Sequence, residues 1–435
     1  MKFFQKIKSL IWKNEEQSTQ SRFSRILDLS ILLTFSFTFF SIPAFSFSNT
    51  GMYVTWILTI LLIAEIVVSL IFTRKIIVDF VFLSFILFCI SALISSALSG
   101  FRGFRLTPIF LTGLAALLYL YCRSSKQFLN LKSFIVGAYF ASIIFLAVFF
   151  YQYREELFSL SFSRLGDKFG DDNDIALFLC FGFVISFYFL TSIKKTNIII
   201  PILSLITLLV FTFCGLATGS KIFIISSSVC AIYFLFARFW GKKWWIALLL
   251  IVGFIIIAVL VLELPFFAFI KSRLAGFFST LIGKSVSGGD VDELSTINRL
   301  NMFVCGMELW LRKPLFGWGI WGFATFSGRA GGWSHNNISE SLCNFGLIGS
   351  ILFHFGFFKA FYSYLKLKKG ETKKNVMLAF GLIVFYLCSM VSVAFNSQKI
   401  YAYMIGVLVA SIEDSKPIFE LSLRNKKEKE VLHCD

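Results

Sequence analysis

The stretch MYVTWILTILLIAEIVVSLIF, residues 52–72, carries a single charged side chain, Glu65, in 21 residues. A helix of this length is about 30 Å long, which matches the hydrocarbon core of a bilayer. In lipid the run must be helical, because a helix satisfies its own backbone hydrogen bonds. The whole chain is 57% hydrophobic with a mean hydropathy of +0.81, which excludes an ordinary soluble protein.

Runs of similar length and composition recur along the chain. They predict twelve membrane spans, at residues 27–47, 52–72, 77–98, 106–122, 132–151, 174–192, 197–217, 221–238, 244–264, 340–362, 375–396 and 398–413. The alternating short segments that are typical of a membrane β-barrel do not occur in the sequence. The predicted fold class is therefore an all-α integral membrane protein with about 12 transmembrane helices.

The distribution of basic residues predicts the orientation. The basic N-terminal segment, residues 1–26, has no small-residue cleavage site before the first span, so we expect a retained helix and not a signal peptide. With this segment in the cytoplasm, the cytoplasmic segments hold 26 of the 41 lysines and arginines. We expect nine spans over residues 27–264, three over 340–413 and a basic cytoplasmic tail over 414–435.

Several classes of function are disfavoured by the composition. The net charge of +17 follows from this topology, so no nucleic-acid partner is needed to explain it. The nine cysteines lie mostly in or beside spans and indicate no disulfide framework. The three histidines, His335, His354 and His433, lie far apart in the sequence and predict no metal site.

A large exterior loop, residues 265–339, separates spans nine and ten and is where we expect a functional site. Residues 265–283 mix apolar and basic side chains and could lie flat on the membrane. After a polar connector, a second short helix is expected to run from Ser295 or Thr296 to Arg312. Its apolar stripe should face the membrane or the protein core and consists of Ile297, Leu300, Val304, Met307 and Leu311.

Basic residues on the exterior side are the candidates for an anion site, because the positive-inside rule does not require them there. They are Arg102, Arg105, Arg164, Lys168, Lys221 and Arg299. Arginine can bind phosphate oxygens with two parallel hydrogen bonds. Each residue could instead extend to lipid headgroups. Lys221 and Arg299 lie at expected helix starts, where backbone N–H groups also favour an anion.

The segment WSHNNISESLCNFGLIG, residues 333–349, places His335 at the start of span ten. Asn337 and Glu340 are spaced as in a capping box, so His335 could be part of a helix-capping turn. An imidazole can also serve as a general base near neutral pH. The predicted topology places His335 on the same side as the exterior cations, which favours a catalytic role.

The order of these motifs resembles the O-antigen ligase and O-antigen polymerase superfamily of bacterial membrane glycosyltransferases. The similar stretches are GDDNDIALFL (170–179), TGSK (218–221), NRLNMFVCGMELWLRKPLFGWGIWGF (298–323) and SHNNISESLCNFGLIG (334–349). This chain has Lys221 at a position where the superfamily usually has Arg. Lysine keeps the positive charge but cannot form the two parallel hydrogen bonds that arginine makes to a phosphate.

The resemblance implies a metal-independent, inverting glycosyltransferase without cofactors in the bacterial inner membrane, with an undecaprenyl-pyrophosphate-linked oligosaccharide as donor. His335 would be the general base, and Arg299, Lys221, Arg105, Arg102 and Arg164 would bind the pyrophosphate. Three further residues would support the site or merely pack and cap, namely Asn336, Glu340 and Asn173. Expected partners are a glycan acceptor, membrane lipids, and flippase and chain-length regulator proteins.

The acceptor distinguishes two activities within the superfamily. A polymerase extends repeat units of O-antigen, capsule or exopolysaccharide, and we favour it. A ligase transfers the glycan to the lipid A core of lipopolysaccharide or to another surface acceptor. From a different class, a lipid-linked oligosaccharide flippase is also compatible with twelve spans, although the predicted spans contain few ionisable side chains.

Overall fold

The computed structural model describes residues 22–45, 49–73, 75–124, 131–158, 165, 172–192, 199–239, 244–263, 268, 271–272, 275, 291–328, 332–366 and 419–422. This part of the chain forms thirteen helices and two short strands. In chain order they are α1 Arg22–Phe45, α2 Asn49–Thr73, β1 Lys75–Val78, α3 Phe80–Leu98, α4 Thr107–Ser124, α5 Leu131–Gln152, α6 Arg154–Phe158, α7 Asp172–Ser192, α8 Ile199–Ala217, α9 Lys221–Arg238, α10 Trp244–Leu262, α11 Val291–Arg312, α12 Gly322–Phe326, α13 Asn337–Lys366 and β2 Phe419–Ser422.

The helical fold class is confirmed over the described residues, and ten of the twelve predicted spans coincide with helices. The other two, 375–396 and 398–413, lie outside the described residues. Three helices are long and apolar enough to cross a membrane, namely Tyr53–Phe72, Phe80–Leu98 and Asn337–Lys359. Six shorter apolar helices, of 10–17 residues, accompany them. The chain thus has helices of the membrane-spanning kind, whereas the number of spans remains a prediction.

The helices expose apolar side chains outward and pack aromatic side chains inward. Leu209 of α8 and Leu249 of α10 are each 61% exposed, as expected of surfaces that lie against lipid. Inside the bundle, the ring of Phe39 lies about 5 Å from those of Phe178 and Phe181, which joins α1 to α7. One continuous core contains residues of every helix from α1 to α9 and of α13.

A short antiparallel ladder is the one departure from the all-α prediction in the described residues. β1 pairs with β2, with Lys75 opposite Ser422 and Val78 opposite Phe419. The ladder leads directly into α3, whose capping residue Asp79 accepts hydrogen bonds from the amides of Val81 and Phe82. The ladder thus joins residues 75–78 to residues 419–422 of the predicted C-terminal tail.

Buried polar side chains of α4 complete this end of the bundle. Tyr119 donates a hydrogen bond to Asp79, and the Arg123 Nε lies 3.4 Å from a carboxylate oxygen of the same residue. Both ionic groups are at least 95% buried. A buried charge is stable only if it is paired, so this ion pair fixes α3 against α4.

Helix α13 is not one straight span but two segments that meet at Gly346. Gly346 has φ 65° and ψ −169°, a conformation that only glycine adopts readily. Ser341 Oγ and His354 Nε2 lie 3.4 Å apart. Thirteen residues of straight helix would separate them by about 20 Å. The chain therefore folds back at Gly346 into a short arm, residues 337–345, and a long arm, residues 347–366.

The interrupted helix is completed by the segment after α11. Trp318 and Gly319 donate backbone hydrogen bonds to the last carbonyls of the short arm, at Cys343 and Asn344. Leu347 and Ile348 begin the long arm and donate to carbonyls at 314 and 315. These contacts satisfy the backbone groups that the break at Gly346 would leave unpaired. The helix predicted over 340–362 is therefore present but interrupted at Gly346.

Candidate functional site

The site is built around the last turns of α3. Ser95 Oγ donates to the carbonyl of Phe316 and, at 2.9 Å, to that of Asn344. Ser96 Oγ accepts a 3.1 Å hydrogen bond from the amide of Ile320. These serines bring together the turn after α11 and the short arm of α13. We call the resulting surface the rim and define it as residues 99–106, 313–326 and 332–344.

His335 lies on the rim, in a turn that is stabilised by hydrogen bonds of its sequence neighbours Ser334 and Asn336. The amide of Ser334 donates a 2.7 Å hydrogen bond to Glu340, and Ser334 Oγ donates to the carbonyl of Asn336. The Asn336 side chain caps α13 by accepting from the amides at 338 and 339. The imidazole is half-buried, and its ring centroid lies 4.5 Å from that of Trp333. The hydrogen bonds of the turn thus fix the backbone position of His335, while its imidazole remains partly exposed.

The cap differs from the predicted capping box. The capping residue is Asn336 and not Asn337, because α13 begins at Asn337. Glu340 does reach back to a loop amide, but that amide belongs to Ser334. Asn337 is itself 97% buried. The structure therefore shows Asn336 and Glu340 in capping and packing contacts, one of the two roles considered for them.

Glu340 belongs to a buried hydrogen-bonded network. Its second carboxylate oxygen accepts a 3.0 Å hydrogen bond from Asn344 Nδ2. Asn344 Oδ1 accepts a 2.8 Å hydrogen bond from the amide of Phe323, at the start of α12. Glu340 is 2% exposed and Asn344 is fully buried. The network links the His335 turn to α12 through four groups that are shielded from water.

Arg105 lies in the part of the rim that follows α3. Its guanidinium carbon lies 4.7 Å from the ring centroid of Trp321, which places the cation on the aromatic face. Gly103 has no space for a side chain because Thr325 lies against it, so this loop is seated on α12. Arg102 and Arg105 are both exposed, so neither guanidinium is enclosed in the core.

Backbone strain is concentrated on the rim. Among the described residues, three that are not glycine have positive φ, namely Phe101 at 54°, Trp321 at 62° and His335 at 52°. The left-handed region is costly for bulky side chains and is retained where surrounding contacts enforce it, often at functional sites. One such residue occurs in each of the three segments that form the rim. This concentration independently marks the rim as the candidate site.

Arg299 is on α11, which packs on the short arm of α13. A Cβ at Gly306 would be 2.8 Å from Ser339 Oγ, so this side of α11 packs on the short arm. Arg299 precedes Gly306 by seven residues, which is nearly two full turns and about 10 Å along the axis. It therefore projects from the side of α11 that faces α13, and it is exposed. α11 ends at Arg312, as predicted, but begins at Val291, so part of the expected connector is helical.

The apolar stripe of α11 faces outward. Ile297, Leu300, Val304 and Leu311 are 46–67% exposed. The opposite side of the helix packs on α12 and α13 through Leu309, Met302 and Cys305. Of the two orientations predicted for the stripe, the structure therefore shows the one away from the core.

Asn173 and Lys221 form a second cluster, on α7 and α9. Asn173 Oδ1 accepts a 2.9 Å hydrogen bond from Ser220, the residue before Lys221. Lys221 is half-buried at the first position of α9. The structure thus brings Asn173 against the residue before Lys221, although Asn173 and Lys221 are 48 positions apart in the sequence. Arg164 and Lys168 lie outside the described residues.

Three residues of the rim were not predicted from the sequence. Asn344 could have been found, because it is a polar residue in an apolar helix and lies one turn after Glu340. Ser334 and Trp321 gave no local signal, since their contacts come from distant parts of the chain.

In comparisons with known proteins, no family model matches this chain and no curated protein matches it. The superfamily resemblance is therefore carried by the four sequence stretches described above.

Proposed function

We propose that this protein is a membrane glycosyltransferase that acts on undecaprenyl-pyrophosphate-linked glycans at the outer face of the cytoplasmic membrane. The proposed reaction is the polymerisation of repeat units of O-antigen, capsule or exopolysaccharide. The observation that carries the proposal is the fixed, half-buried imidazole of His335 on a strained rim that also presents Arg105.

His335 is suited to act as the general base. It takes the proton of an acceptor hydroxyl while the hydroxyl oxygen forms a bond to the anomeric carbon of the donor. The bond from that carbon to the pyrophosphate oxygen breaks, and its electron pair leaves with the pyrophosphate. Attack opposite to the leaving group inverts the anomeric centre. The scheme requires no metal and no nucleotide sugar.

The cations stabilise the departing pyrophosphate, on which negative charge develops in the transition state. Arg105 stacks on Trp321 of the rim and Arg299 lies on α11, and both are exposed and available to the phosphates. Lys221 adds charge at a helix start, where backbone N–H groups also favour an anion. Arg102 is a supporting cation on the same loop as Arg105. The outward apolar faces of the helices suit the polyprenyl chain of the donor.

A ligase would use the same chemistry with another acceptor, such as the lipid A core. Transport of a lipid-linked oligosaccharide is a second candidate, because α13 is interrupted at Gly346 within a candidate span. Broken helices with buried polar groups, here including His354, also occur in transporters. The concentration of cations and strained residues on one rim favours the transferase.

Glycan profiling of a deletion strain separates these functions. Loss of a polymerase leaves single repeat units on the surface, and loss of a ligase leaves polymer on the carrier lipid. Loss of a flippase traps repeat units inside the cell. We expect the polymerase pattern, full rescue by wild type and by His433→Ala, and no rescue by His335→Ala at equal expression. Full-length polysaccharide from the His335→Ala strain would contradict the proposed mechanism.

A further inference from the structure

The network behind His335 has a fixed direction of hydrogen bonding. At one end the amide of Phe323 donates to Asn344 at 2.8 Å, and at the other the amide of Ser334 donates to Glu340 at 2.7 Å. Backbone amides can only donate. Asn344 must therefore accept at the Phe323 end, and Glu340 must accept at the Ser334 end. The donor and acceptor roles can vary only in the contact between the two side chains.

That central contact requires one side chain that donates and one that accepts. Asn344 Oδ1 accepts a hydrogen bond from the amide of Phe323, and Asn344 Nδ2 donates a 3.0 Å hydrogen bond to Glu340. Glu340 must then accept two hydrogen bonds, one from Asn344 and one from Ser334. Two amides at these positions would place an NH₂ group against another, and two ionised carboxylates would place oxygen against oxygen. An amide at 344 with a carboxyl group at 340 that accepts through both of its oxygens satisfies all four groups. The reverse arrangement, a carboxylate at 344 and an amide at 340, would satisfy them equally.

We propose that Glu340 and Asn344 are positioning residues that hold His335 and the Trp321–Arg105 pair at a fixed separation. This proposal rests on the proposed function, in which His335 is the general base. Ser334 directly precedes His335, and its amide is fixed by Glu340. Phe323 follows Trp321 by two residues, and its amide is fixed by Asn344. The network thus connects the turn that carries the imidazole to the helix start that carries the arginine-stacked tryptophan.

Burial makes the network sensitive to its donor and acceptor pattern. Ser334 and Asn344 are fully buried and Glu340 is 2% exposed, so water cannot replace a lost partner. One mismatched pair leaves a buried polar group unsatisfied. We expect Glu340→Gln and Asn344→Asp each to lower kcat by roughly tenfold to a hundredfold. KM should change little, since both side chains are buried beneath the rim.

The double variant Glu340→Gln with Asn344→Asp is the decisive test. In this variant the carboxylate at position 344 accepts hydrogen bonds from the backbone amide of Phe323 and from the NH₂ group of the side chain at 340. The amide oxygen of the side chain at 340 accepts the hydrogen bond from Ser334. We expect kcat to return to within about threefold of wild type, because all four groups are paired again. Relative to wild type at the same pH, Asn344→Asp alone should recover part of its kcat as the pH falls, because a proton shared by the facing carboxylates restores a donor.

The matched control is Glu308→Gln with Asn301→Asp, the same exchange at exposed positions of α11, which should leave kcat unchanged. A second measurement, independent of glycan transfer, is the rate of His335 carbethoxylation by diethyl pyrocarbonate, determined by peptide mass spectrometry with His433 as internal reference. Each single variant should change this rate severalfold, and the double variant should restore it.

Two outcomes would overturn the proposal. One is a double variant no better than the worse single variant in both measurements, and the other is single variants equal to wild type. Carbethoxylation that follows the expected pattern while wild type transfers no glycan would support the positioning network and refute the proposed function.

Discussion

The break in α13 can be tested by replacing Gly346 with alanine. A Cβ at this position would overlap the carbonyl group of Leu315 and the amide nitrogen of Phe316. The backbone at φ 65° and ψ −169° is also in a region that is essentially restricted to glycine. The substitution therefore combines backbone strain with a collision against main-chain atoms that cannot rotate away.

The two effects can be estimated separately. A residue other than glycine in such a region costs about 1–3 kcal/mol. Forcing an extra methyl group into a packed contact costs about 1–3 kcal/mol more. We expect Gly346→Ala to destabilise the folded protein by about 2–6 kcal/mol and to loosen the rim, since the affected turn supports the short arm of α13.

Three other glycines separate strain from collision. Gly113 is helical with nothing within 4 Å of an added Cβ, so Gly113→Ala should be neutral or stabilising. Gly100 has φ +68° and equally open surroundings, so Gly100→Ala should cost only strain, about 1–2 kcal/mol. Gly306 is helical, and its added Cβ would lie 2.8 Å from Ser339 Oγ, so Gly306→Ala should cost only packing.

The assay is thermal unfolding of the purified variants in one detergent, followed by tryptophan fluorescence. The expected order of stability is Gly113→Ala, then Gly100→Ala and Gly306→Ala, and last Gly346→Ala. If Gly346→Ala is no less stable than Gly100→Ala, α13 does not turn back at this residue in the manner described.

Three further perturbations address the rest of the structure. Asn336→Ala removes the α13 cap and should cost about 1 kcal/mol, seen as faster hydrogen exchange at residues 338–340; unchanged exchange would contradict the cap. Asp79→Asn leaves a buried guanidinium without its partner and should cost about 3–5 kcal/mol in thermal unfolding. The exposed pair of Arg154 with Glu155 is the control, and Arg154→Ala should be neutral. Arg105→Ala should lower kcat/KM for the pyrophosphate-linked donor by about tenfold or more, and equal kinetics in wild type and variant would exclude Arg105 from the anion site.

Much of the helical framework was predictable from local sequence. Apolar runs such as 52–72 require intrahelical hydrogen bonds in lipid, so their helical state does not depend on which neighbours they meet. The end of α11 at Arg312 was equally local, because the proline at 314 cannot continue a helix. The expectation that exterior loops would carry the candidate site also came from composition and charge, and the side on which they lie remains a prediction.

The details of the rim were set by contacts between distant residues. The sequence around Gly346 is mostly apolar and predicts an unbroken helix, yet the backbone of residues 314–319 supplies the partners that make a break stable. The choice of Asn336 over Asn337 as the cap depends on where Glu340 finds its donor.

The sequence by itself determined which segments are helical and which residues could carry chemistry, because hydropathy and side-chain chemistry are local properties. The tertiary structure decided that His335 shares a rim with Trp321 and Arg105, and that Asn344 links them. The physical reason is that a buried donor or acceptor needs a partner at about 3 Å, and that partner can come from any part of the chain.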